Sequence, residues 1–211
     1  DVYKRQLQRP LELGADITVQ SATKFLAGHA DLLAGVAATN DPDLAVLLHR
    51  GQLVSGALLP PIDSYRLLQD VKTLALRLER QQQNARELIE FLSERPEVEK
   101  IFYAGSSSEE HAEVQSRQAR GIGSVFSLLL KDGGDAQAFA RALPIFVNAV
   151  SLGGIESLVS LPAHTTHGAY AQEHRDEFGV DDRLVRLAIG IEDIQDLIAA
   201  LEIGLKAAFA G

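Results

Sequence analysis

A long run of helix-spaced apolar residues is the feature that most constrains how this chain can fold. From Leu67 to Leu92, apolar side chains recur at steps of three and four residues, while Arg, Gln and Glu fill the opposite face until Pro96. The apolar positions are Leu67, Leu68, Val71, Leu74, Leu78, Ala85, Leu88, Ile89 and Leu92. A helix of this length predicts a connection between two domains.

The chain before this helix has the rhythm of an α/β sheet. A β-prone run at residues 17–19 leads into a small polar cluster at residues 21–24, and a second apolar run follows at residues 32–38. Asp41 can then cap a helix that has Pro42 in its first turn. The order of strand, loop, strand and helix predicts an α/β architecture.

The chain beyond the helix predicts a second, smaller unit. Residues 51–61, rich in Gly and Pro, predict a surface loop or a crossing between domains, and residues 105–123 predict a polar, mobile excursion. Asp135 is expected to cap a short helix, and the apolar spacing from Ile194 predicts a closing helix. The strands predicted after Pro96 are residues 98–103, 124–130, 145–149 and 184–189. Together these elements predict a small α+β domain.

The predicted organisation divides the chain at the ends of the long helix. Residues 7–62 form the last part of a larger domain, residues 63–95 the connecting helix and residues 96–211 a small C-terminal domain. Residues 1–6 resemble the translation of a sequencing adaptor, so we set them apart from the fold. The chain contains no methionine, and we expect it to have been processed or cut from a longer protein.

Composition excludes several classes of function. The chain has 29 acidic and 20 basic residues and no basic stretch interleaved with aromatics, so we expect no nucleic-acid partner. No apolar run approaches the roughly 20 residues that span a bilayer, so we expect no membrane association and a cytoplasmic location. The absence of cysteine removes disulfides, thiolate metal ligands and cysteine nucleophiles.

Lys24 is oddly placed for a solvating charge, because it follows a predicted strand and is flanked by Ser21 and Thr23. A Schiff base requires an amine that can lose its proton, which partial burial of a lysine favours. The two neighbouring hydroxyls can donate hydrogen bonds to a phosphate. The spacing alone leaves open both this interpretation and that of an ordinary lysine in a surface loop.

Three ordered segments of the chain carry a recognisable pattern. The first contains Gly14-Ala15-Asp16-Ile17, Ser21-Ala22-Thr23-Lys24 and Gly28-His29-Ala30-Asp31. The second contains Ser151-Leu152-Gly153-Gly154-Ile155-Glu156-Ser157, followed by Pro162-Ala163 and Thr166-His167, and the third is Leu184 to Asp193. These segments resemble the Cys/Met-metabolism family of enzymes that depend on pyridoxal 5'-phosphate (PLP), which includes cystathionine γ-synthase, cystathionine γ-lyase and methionine γ-lyase. The resemblance covers almost the whole chain.

The resemblance implies a fold and a set of site residues. The fold is an α/β, aspartate-aminotransferase-like PLP-transferase fold, truncated to the end of the large-domain sheet, the connecting helix and the small α+β domain. Lys24 is implied to hold the cofactor as a Schiff base and to carry protons, with Ser21 and Thr23 on the cofactor phosphate. Arg186 matches the arginine that binds the substrate carboxylate, a task that suits a planar guanidinium of permanent charge.

Further residues carried by the resemblance direct the prediction toward transsulfuration. Ser151 and Leu152 match the turn beside the cofactor lysine that orients the substrate, and Glu156 matches a glutamate at the mouth of the site. The implied activity is γ-elimination or γ-replacement on sulfur-containing amino acids or O-acylhomoserine. Activity of the methionine γ-lyase or cystathionine β-lyase type remains an alternative, and a noncatalytic dimerisation module is an alternative of another class.

The resemblance also implies what surrounds the site. Relatives form homo-oligomers, dimers of dimers at full length, and in them the cofactor's glycine loop, stacking aromatic ring and aspartate precede the lysine. We therefore expect the 211-residue chain alone to bind PLP weakly and to turn over little. Two departures from the family pattern are Ala188, where serine is common, and Asp70, in a segment where arginine-glycine is common.

A metal site is the remaining hypothesis. His164 and His167 stand three residues apart, and His29 and Asp31 offer further donors. Pro162 argues against a helix at that point, and no second pair at metal spacing is present, so we expect no metal ion.

Overall fold

The computed structural model describes residues 7–210 of the chain. The predicted adaptor-derived residues 1–6 lie outside the described residues. A 3₁₀ turn, Pro10–Leu13, precedes a two-stranded antiparallel hairpin of β1, Thr18–Ser21, and β2, Gly35–Ala38. The segment that joins these strands carries Lys24.

Three helices follow the hairpin: α1, Pro42–Ser55, α2, Pro61–Asp70, and α3, Leu74–Ser93. Asp41 caps α1, because its carboxylate accepts the amides of Asp43 and Leu44 at 2.8 and 3.1 Å, as predicted. The loop predicted at residues 51–61 is wrong in its first half, since α1 continues to Ser55. Gly56, whose φ is +69°, is the C-cap of this helix. The single glycine in that stretch of α1, Gly51, lowers helix stability but does not end the helix.

Residues 63–95 are not one continuous helix. A 3₁₀ turn, Val71–Thr73, separates α2 from α3. The Thr73 hydroxyl donates to Asp70 O at 3.1 Å and accepts from Arg77 Nε at 3.1 Å. Local bonds of this kind compete with the helical backbone ladder. The apolar spacing runs across the junction, so the sequence pattern could not reveal it.

The rest of the chain builds a five-stranded sheet in the order β3-β4-β7-β6-β5, antiparallel except for the parallel pair β5 and β6. Its strands are β3, Val98–Phe102, β4, Val125–Leu130, β5, Val147–Asn148, β6, Leu158–Ser160, and β7, Leu184–Ala188. Arg186 lies at the centre of this sheet, opposite Ser127 of β4 and Ser160 of β6.

Four helices accompany the sheet: α4, Glu109–Gln118, α5, Ala136–Ala142, α6, Gln172–Glu177, and α7, Ile194–Ala208. Asp135 caps α5 as predicted. The polar, mobile excursion predicted at residues 105–123 contains a helix, α4, that the sequence analysis did not predict. Ser108 caps that helix by accepting the His111 amide at 3.2 Å, and acidic residues occupy its first turn.

Strand alternation divides the sheet into a core face and a site face. Val185 and Leu187 of β7 are fully buried against α5, α7 and the second half of α3. Arg186 lies between them in the chain and therefore projects from the opposite face. Among the described residues, no helix has both the length and the apolar character needed to cross a membrane.

Candidate functional site

Lys24 lies in a single wide helical turn, Ala22–Leu26, immediately after β1. The Ala27 amide closes the turn by donating to Ala22 O at 2.9 Å, and the Gly28 amide donates to Lys24 O at 2.7 Å. The backbone of Lys24 itself is not helical. Its half-buried side chain extends toward the small domain, where Nζ donates to Ser151 Oγ at 3.0 Å.

The two predicted phosphate ligands differ in their surroundings. Thr23 Oγ1 accepts the Ala34 amide at 2.9 Å and donates to Ala34 O over a longer 3.3 Å. A phosphate can therefore receive the Thr23 proton only in exchange for the longer of these bonds. Ser21 is exposed at the end of β1.

Residues 151–157, which contain Gly153 and Gly154 and are called the glycine turn, pack directly on the lysine turn, Ala22–Leu26. The Ile155 amide donates to Gly28 O at 3.0 Å. Gly153 has a φ of +83°, and a Cβ atom there would lie 2.6 Å from Phe25 N. This close approach requires glycine, since only glycine offers both the conformation and the space.

Arg186 reaches the glycine turn from the sheet. Its Nη2 donates to Ser151 O at 2.7 Å, while its Nε is buried and has no hydrogen-bond partner among the described residues. Burial lowers the pKa of the Arg186 guanidinium from its ordinary value, which still leaves the group cationic near neutral pH. A buried cationic nitrogen that lacks an acceptor suits a carboxylate ligand.

A cavity of about 850 Å³ lies in front of the Lys24 amine. It brings together four of the predicted site residues besides Lys24: Thr23, Ser151, Leu152 and the exposed Glu156. Ser21 and Arg186 do not line it, although Arg186 is joined to its wall through Ser151. The other lining residues are Ala30, Asp31, Leu32, Leu33, Asp63, Val147, Ala149, Gly154 and Leu158. An open pocket of about 470 Å³ between β3, β4 and α4 contains none of the predicted site residues.

Buried polar residues of α3 complete the site, and the sequence interpretation missed them. Arg77, Gln81 and Asn84 donate to main-chain carbonyls of the lysine turn, the glycine turn and the chain after β7, respectively. The available signal was a gap in the apolar spacing between Leu78 and Ala85, where a continuous stripe would place an apolar residue.

Ser157 and Glu192 form a second connection that sequence did not reveal. The fully buried Ser157 hydroxyl donates to the Glu192 carboxylate at 2.9 Å and accepts the Gly190 amide at 2.9 Å. The Glu192 carboxylate also accepts the Ser157 amide. These bonds tie the glycine turn to the end of β7.

The histidines considered as metal ligands have other contacts. His164 Nε2 lies 3.3 Å from Gln137 Nε2, and His167 Nδ1 lies 2.9 Å from Thr166 Oγ1. His29 Nδ1 lies 3.0 Å from Asp70 Oδ1, so Asp70, a departure from the family pattern, pairs with the residue after Gly28. Within residues 7–210, no three His, Cys, Asp or Glu side chains are grouped as a metal site would require.

Comparison with known proteins gives this geometry a class, the enzymes that use PLP. The sequence model of one family of that class, described as "Cys/Met metabolism PLP-dependent enzyme", matches residues 4–206. The chain therefore belongs to this family, whose cofactor is PLP, as predicted.

Curated relatives carry several activities in their names. The chain is 45% identical over 204 residues to an L-methionine γ-lyase of Pseudomonas deceptionensis, covering 95% of the chain and 51% of that protein. It is 42% identical over 200 residues to the chloroplastic cystathionine β-lyase of Arabidopsis thaliana, covering 95% and 43%. It is also 42% identical over 191 residues to a cystathionine γ-lyase of Bacillus subtilis, covering 90% and 50%. The chain spans about half the length of the curated relatives it matches.

Solved structures confirm the predicted fold class. A cystathionine γ-lyase from Lactobacillus plantarum, complexed with L-serine, aligns at a TM-score of 0.93 and 36% identity, covering 98% of the chain and 54% of that structure. A cystathionine γ-synthase from Xanthomonas oryzae aligns at 0.92 and 36%, covering 99% and 54%. The chain thus has the fold of the corresponding half of these enzymes.

The residues described above fit PLP. The Lys24 amine faces a cavity, a threonine hydroxyl lines the same cavity, and the buried Arg186 Nε has no acceptor in the part of the chain that the structure describes. An aldehyde-reactive amine, a phosphate donor and a carboxylate receptor are the groups that this cofactor and an amino-acid substrate require.

Proposed function

We propose that this chain carries the cofactor-lysine and substrate-carboxylate portion of a PLP-dependent enzyme that acts on sulfur-containing amino acids. Residues 7–62 would belong to its large PLP-binding domain, residues 63–95 to the connection and residues 96–211 to its small domain. The family membership supports this proposal. Because the chain matches only about half the length of its relatives, the activity of the whole protein is part of the proposal.

One observation carries the proposal: Ser151 contacts both chemical groups through different atoms. Its hydroxyl accepts the Lys24 amine at 3.0 Å, and its carbonyl accepts the Arg186 guanidinium at 2.7 Å. The amine and the guanidinium are thereby held by two atoms of one residue, and that residue lines the cavity. This arrangement suits an α-amino acid, whose amino and carboxylate groups share one carbon.

Each residue would have a separate task. PLP, when bound, supplies an electron sink that stabilises negative charge on the substrate α-carbon. Lys24 Nζ would hold the cofactor and then accept and return protons, while the Ser151 hydroxyl fixes the direction of that nitrogen. The Arg186 guanidinium would bind the substrate carboxylate, and Thr23 and Ser21 would donate to the cofactor phosphate. Leu152 would contact the substrate from the cavity wall.

Glu156 favours a transsulfuration substrate such as cystathionine within this class. Its exposed carboxylate lines the cavity together with Asp31 and Asp63. An acidic mouth favours a substrate whose distal arm carries an ammonium group, as cystathionine does, over a thioether without charge. Methionine γ-lyase and cystathionine β-lyase activities remain the competing proposals.

Covalent labelling tests the proposed cofactor site. The purified chain is incubated with PLP and reduced with borohydride, which makes the link between the cofactor carbon and a lysine nitrogen permanent, and peptides are mapped by mass spectrometry. We expect the label on Lys24 well above that on the exposed Lys72, Lys131 and Lys206. This experiment does not require turnover.

Matched variants sharpen the labelling result. Lys24→Arg should remove the dominant label, whereas Lys72→Arg should leave it in place. Label spread evenly over the surface lysines, or unchanged in Lys24→Arg, would contradict the proposal.

Product analysis separates the competing activities. The whole enzyme of which this chain is proposed to form part is supplied with cystathionine, with methionine, or with an O-acylhomoserine and cysteine in separate reactions, and keto acids and thioethers are identified. γ-Elimination releases a four-carbon keto acid, β-elimination releases pyruvate, and γ-replacement releases a new thioether. We expect a γ-product that disappears in Lys24→Ala, and pyruvate as the sole product would favour the β-lyase alternative.

The exposed apolar surface of α1 supports assembly with a second copy of the chain. Helix α1 buries none of its side chains, and Val46, Leu47 and Val54 are largely exposed. We propose that this surface is covered in a homo-oligomer. Light scattering of Val54→Glu should show a smaller assembly than the unaltered chain, and equal masses would contradict it. A purely noncatalytic dimerisation role would show assembly without the Lys24 label.

A further inference from the structure

Helix α3 has a polar stripe on its buried side. Arg77, Gln81 and Asn84 follow one another at steps of four and three residues, so they share one face of the helix. They are 5%, 0% and 1% exposed, respectively. Buried positions of this kind usually hold apolar side chains, and each polar group there requires hydrogen-bond partners to offset its lost hydration.

Arg77 contacts the lysine turn. Its Nη1 donates to Phe25 O at 2.9 Å and its Nη2 to Leu26 O at 3.3 Å, which are the carbonyls directly after Lys24. A Cβ atom on Gly28 would lie 2.0 Å from Arg77 Nη1, so the guanidinium fills the space against that glycine. Arg77 therefore holds the turn through contacts that lie outside the cavity lining.

Gln81 and Asn84 contact the partner segments of that turn. Gln81 Nε2 donates to Gly154 O at 2.6 Å, within the segment that supplies Ser151. Asn84 Nδ2 donates to Gly190 O at 3.2 Å and to Glu192 O at 2.9 Å, just after the strand that supplies Arg186. One helix thus contacts each of the three segments that build the site.

Stability alone does not account for these residues. Gln81 Oε1 and Asn84 Oδ1 are buried without a hydrogen-bond partner among the described residues. An unpaired buried oxygen costs free energy that an apolar side chain of similar size would not. What the amides provide, and an apolar side chain cannot, is a directed bond that sets where each segment lies.

We infer that Arg77 and Gln81 are positioning residues, which set the Lys24 amine against the Ser151 hydroxyl. Neither side chain lines the cavity, so both act through the backbone of the turns that they hold. The catalytic meaning of this role rests on the proposed function, but the placement of the amine can be measured without it.

Competitive acetylation measures that placement. The folded chain is treated with a trace of acetic anhydride, and the acetylation of Lys24 is divided by that of the exposed Lys131. In the unaltered chain the bond to Ser151 should keep this ratio low. Arg77→Met and Gln81→Met should each raise it about 5-fold, the effect of losing one hydrogen bond.

Gln83→Met is the matched control, because Gln83 lies on the exposed face of the same helix and bonds only locally to Glu87. It should leave the ratio unchanged. If Arg77→Met does not fold, Arg77→Lys, which keeps the charge but not the fork of donors, should give an intermediate ratio. An unchanged ratio in Gln81→Met, or an equal rise in Gln83→Met, would overturn the inference.

PLP labelling separates the two proposals. If Gln81→Met slows labelling of Lys24 as well as raising its acetylation, both stand. If PLP fails to label Lys24 in the unaltered chain while the acetylation ratio responds as expected, the proposed function fails and the positioning role stands. If labelling of Lys24 succeeds but neither readout changes in Gln81→Met and Arg77→Lys, only the positioning role fails.

Discussion

The amine of Lys24 lies 3.0 Å from the hydroxyl of Ser151, although 127 residues separate them in the chain. The same serine also accepts the Arg186 guanidinium, but through its carbonyl oxygen at 2.7 Å. A change of the Ser151 side chain therefore affects the amine and leaves the contact to the guanidinium intact.

Ser151→Ala should accordingly weaken the hold on Lys24 alone. The lost hydrogen bond is worth about 1 kcal/mol, which corresponds to roughly 5-fold slower labelling of Lys24 by PLP if the bond orients the amine. The thermal midpoint should change little. Ser160→Ala, on the same face of the sheet as Arg186, is the control, and equal labelling rates in all three proteins would contradict the expected role of the hydroxyl.

Gly153→Ala should be strongly destabilising. Its φ of +83° and the 2.6 Å between an added Cβ and Phe25 N combine backbone strain with overlap, for roughly 3 kcal/mol in total. Gly133→Ala is a close control, because its φ is +87° and nothing lies within 4 Å of an added Cβ. It should cost about 1 kcal/mol by strain alone. Urea unfolding measures both, and equal losses would show that the contact with Phe25 carries no energy.

Ser157→Ala tests the tie between the glycine turn and the end of β7. It leaves the Gly190 amide and one Glu192 oxygen without their serine partner, at a cost of roughly 2 kcal/mol. Ser124 is equally buried, but its hydroxyl has no partner among the described residues, so Ser124→Ala should be within about 0.5 kcal/mol of the unaltered chain. The two free energies of unfolding, compared directly, decide the point.

Asp181 gives a prediction for acid. Hydrogen bonds from the Arg183 guanidinium and amide lower the pKa of the Asp181 carboxyl from its ordinary value, and the same contacts raise the pKa of Arg183. A carboxyl whose pKa is lower in the folded state contributes stability above its unfolded value of about 4, and this contribution disappears as pH falls through the folded value.

Asp181→Asn should therefore be less stable than the unaltered chain above about pH 4, with the difference shrinking at lower pH. Thermal midpoints across that range provide the measurement. Asp16→Asn, which removes one exposed carboxylate of equal charge, should run parallel to the unaltered chain. A difference that grows toward low pH would show that Asp181 is not stabilised by Arg183.

The sequence predicted most of the fold because the relevant signals are local. Asp41 and Asp135 predict helix starts because an aspartate at that position caps the first turn. The strand around Arg186 is predicted by its alternation of apolar and polar side chains. Helix α4 was missed because its side chains are nearly all polar, so it has no apolar stripe to detect. The break before α3 was missed because a threonine bond, not a change of apolar spacing, produces it.

The sequence likewise predicted some residues of the candidate site and missed others. The resemblance named Lys24, Ser151 and Arg186, and the structure places these three in contact. It did not name Arg77, whose role depends on carbonyls about fifty residues earlier in the chain. Three-dimensional packing determines which carbonyls such a residue binds. Because every residue has a main-chain carbonyl, no particular residue type in the sequence identifies the acceptor.

The main-chain bonds of α3 bear on how such a site can diversify. The acceptors of Arg77 and Gln81 are peptide carbonyls, which every amino acid possesses. Side chains that face the cavity can therefore be exchanged by mutation while the scaffold beneath them keeps its shape. Because these bonds do not depend on side-chain identity, substitutions along the cavity wall need not alter the backbone positions that α3 sets.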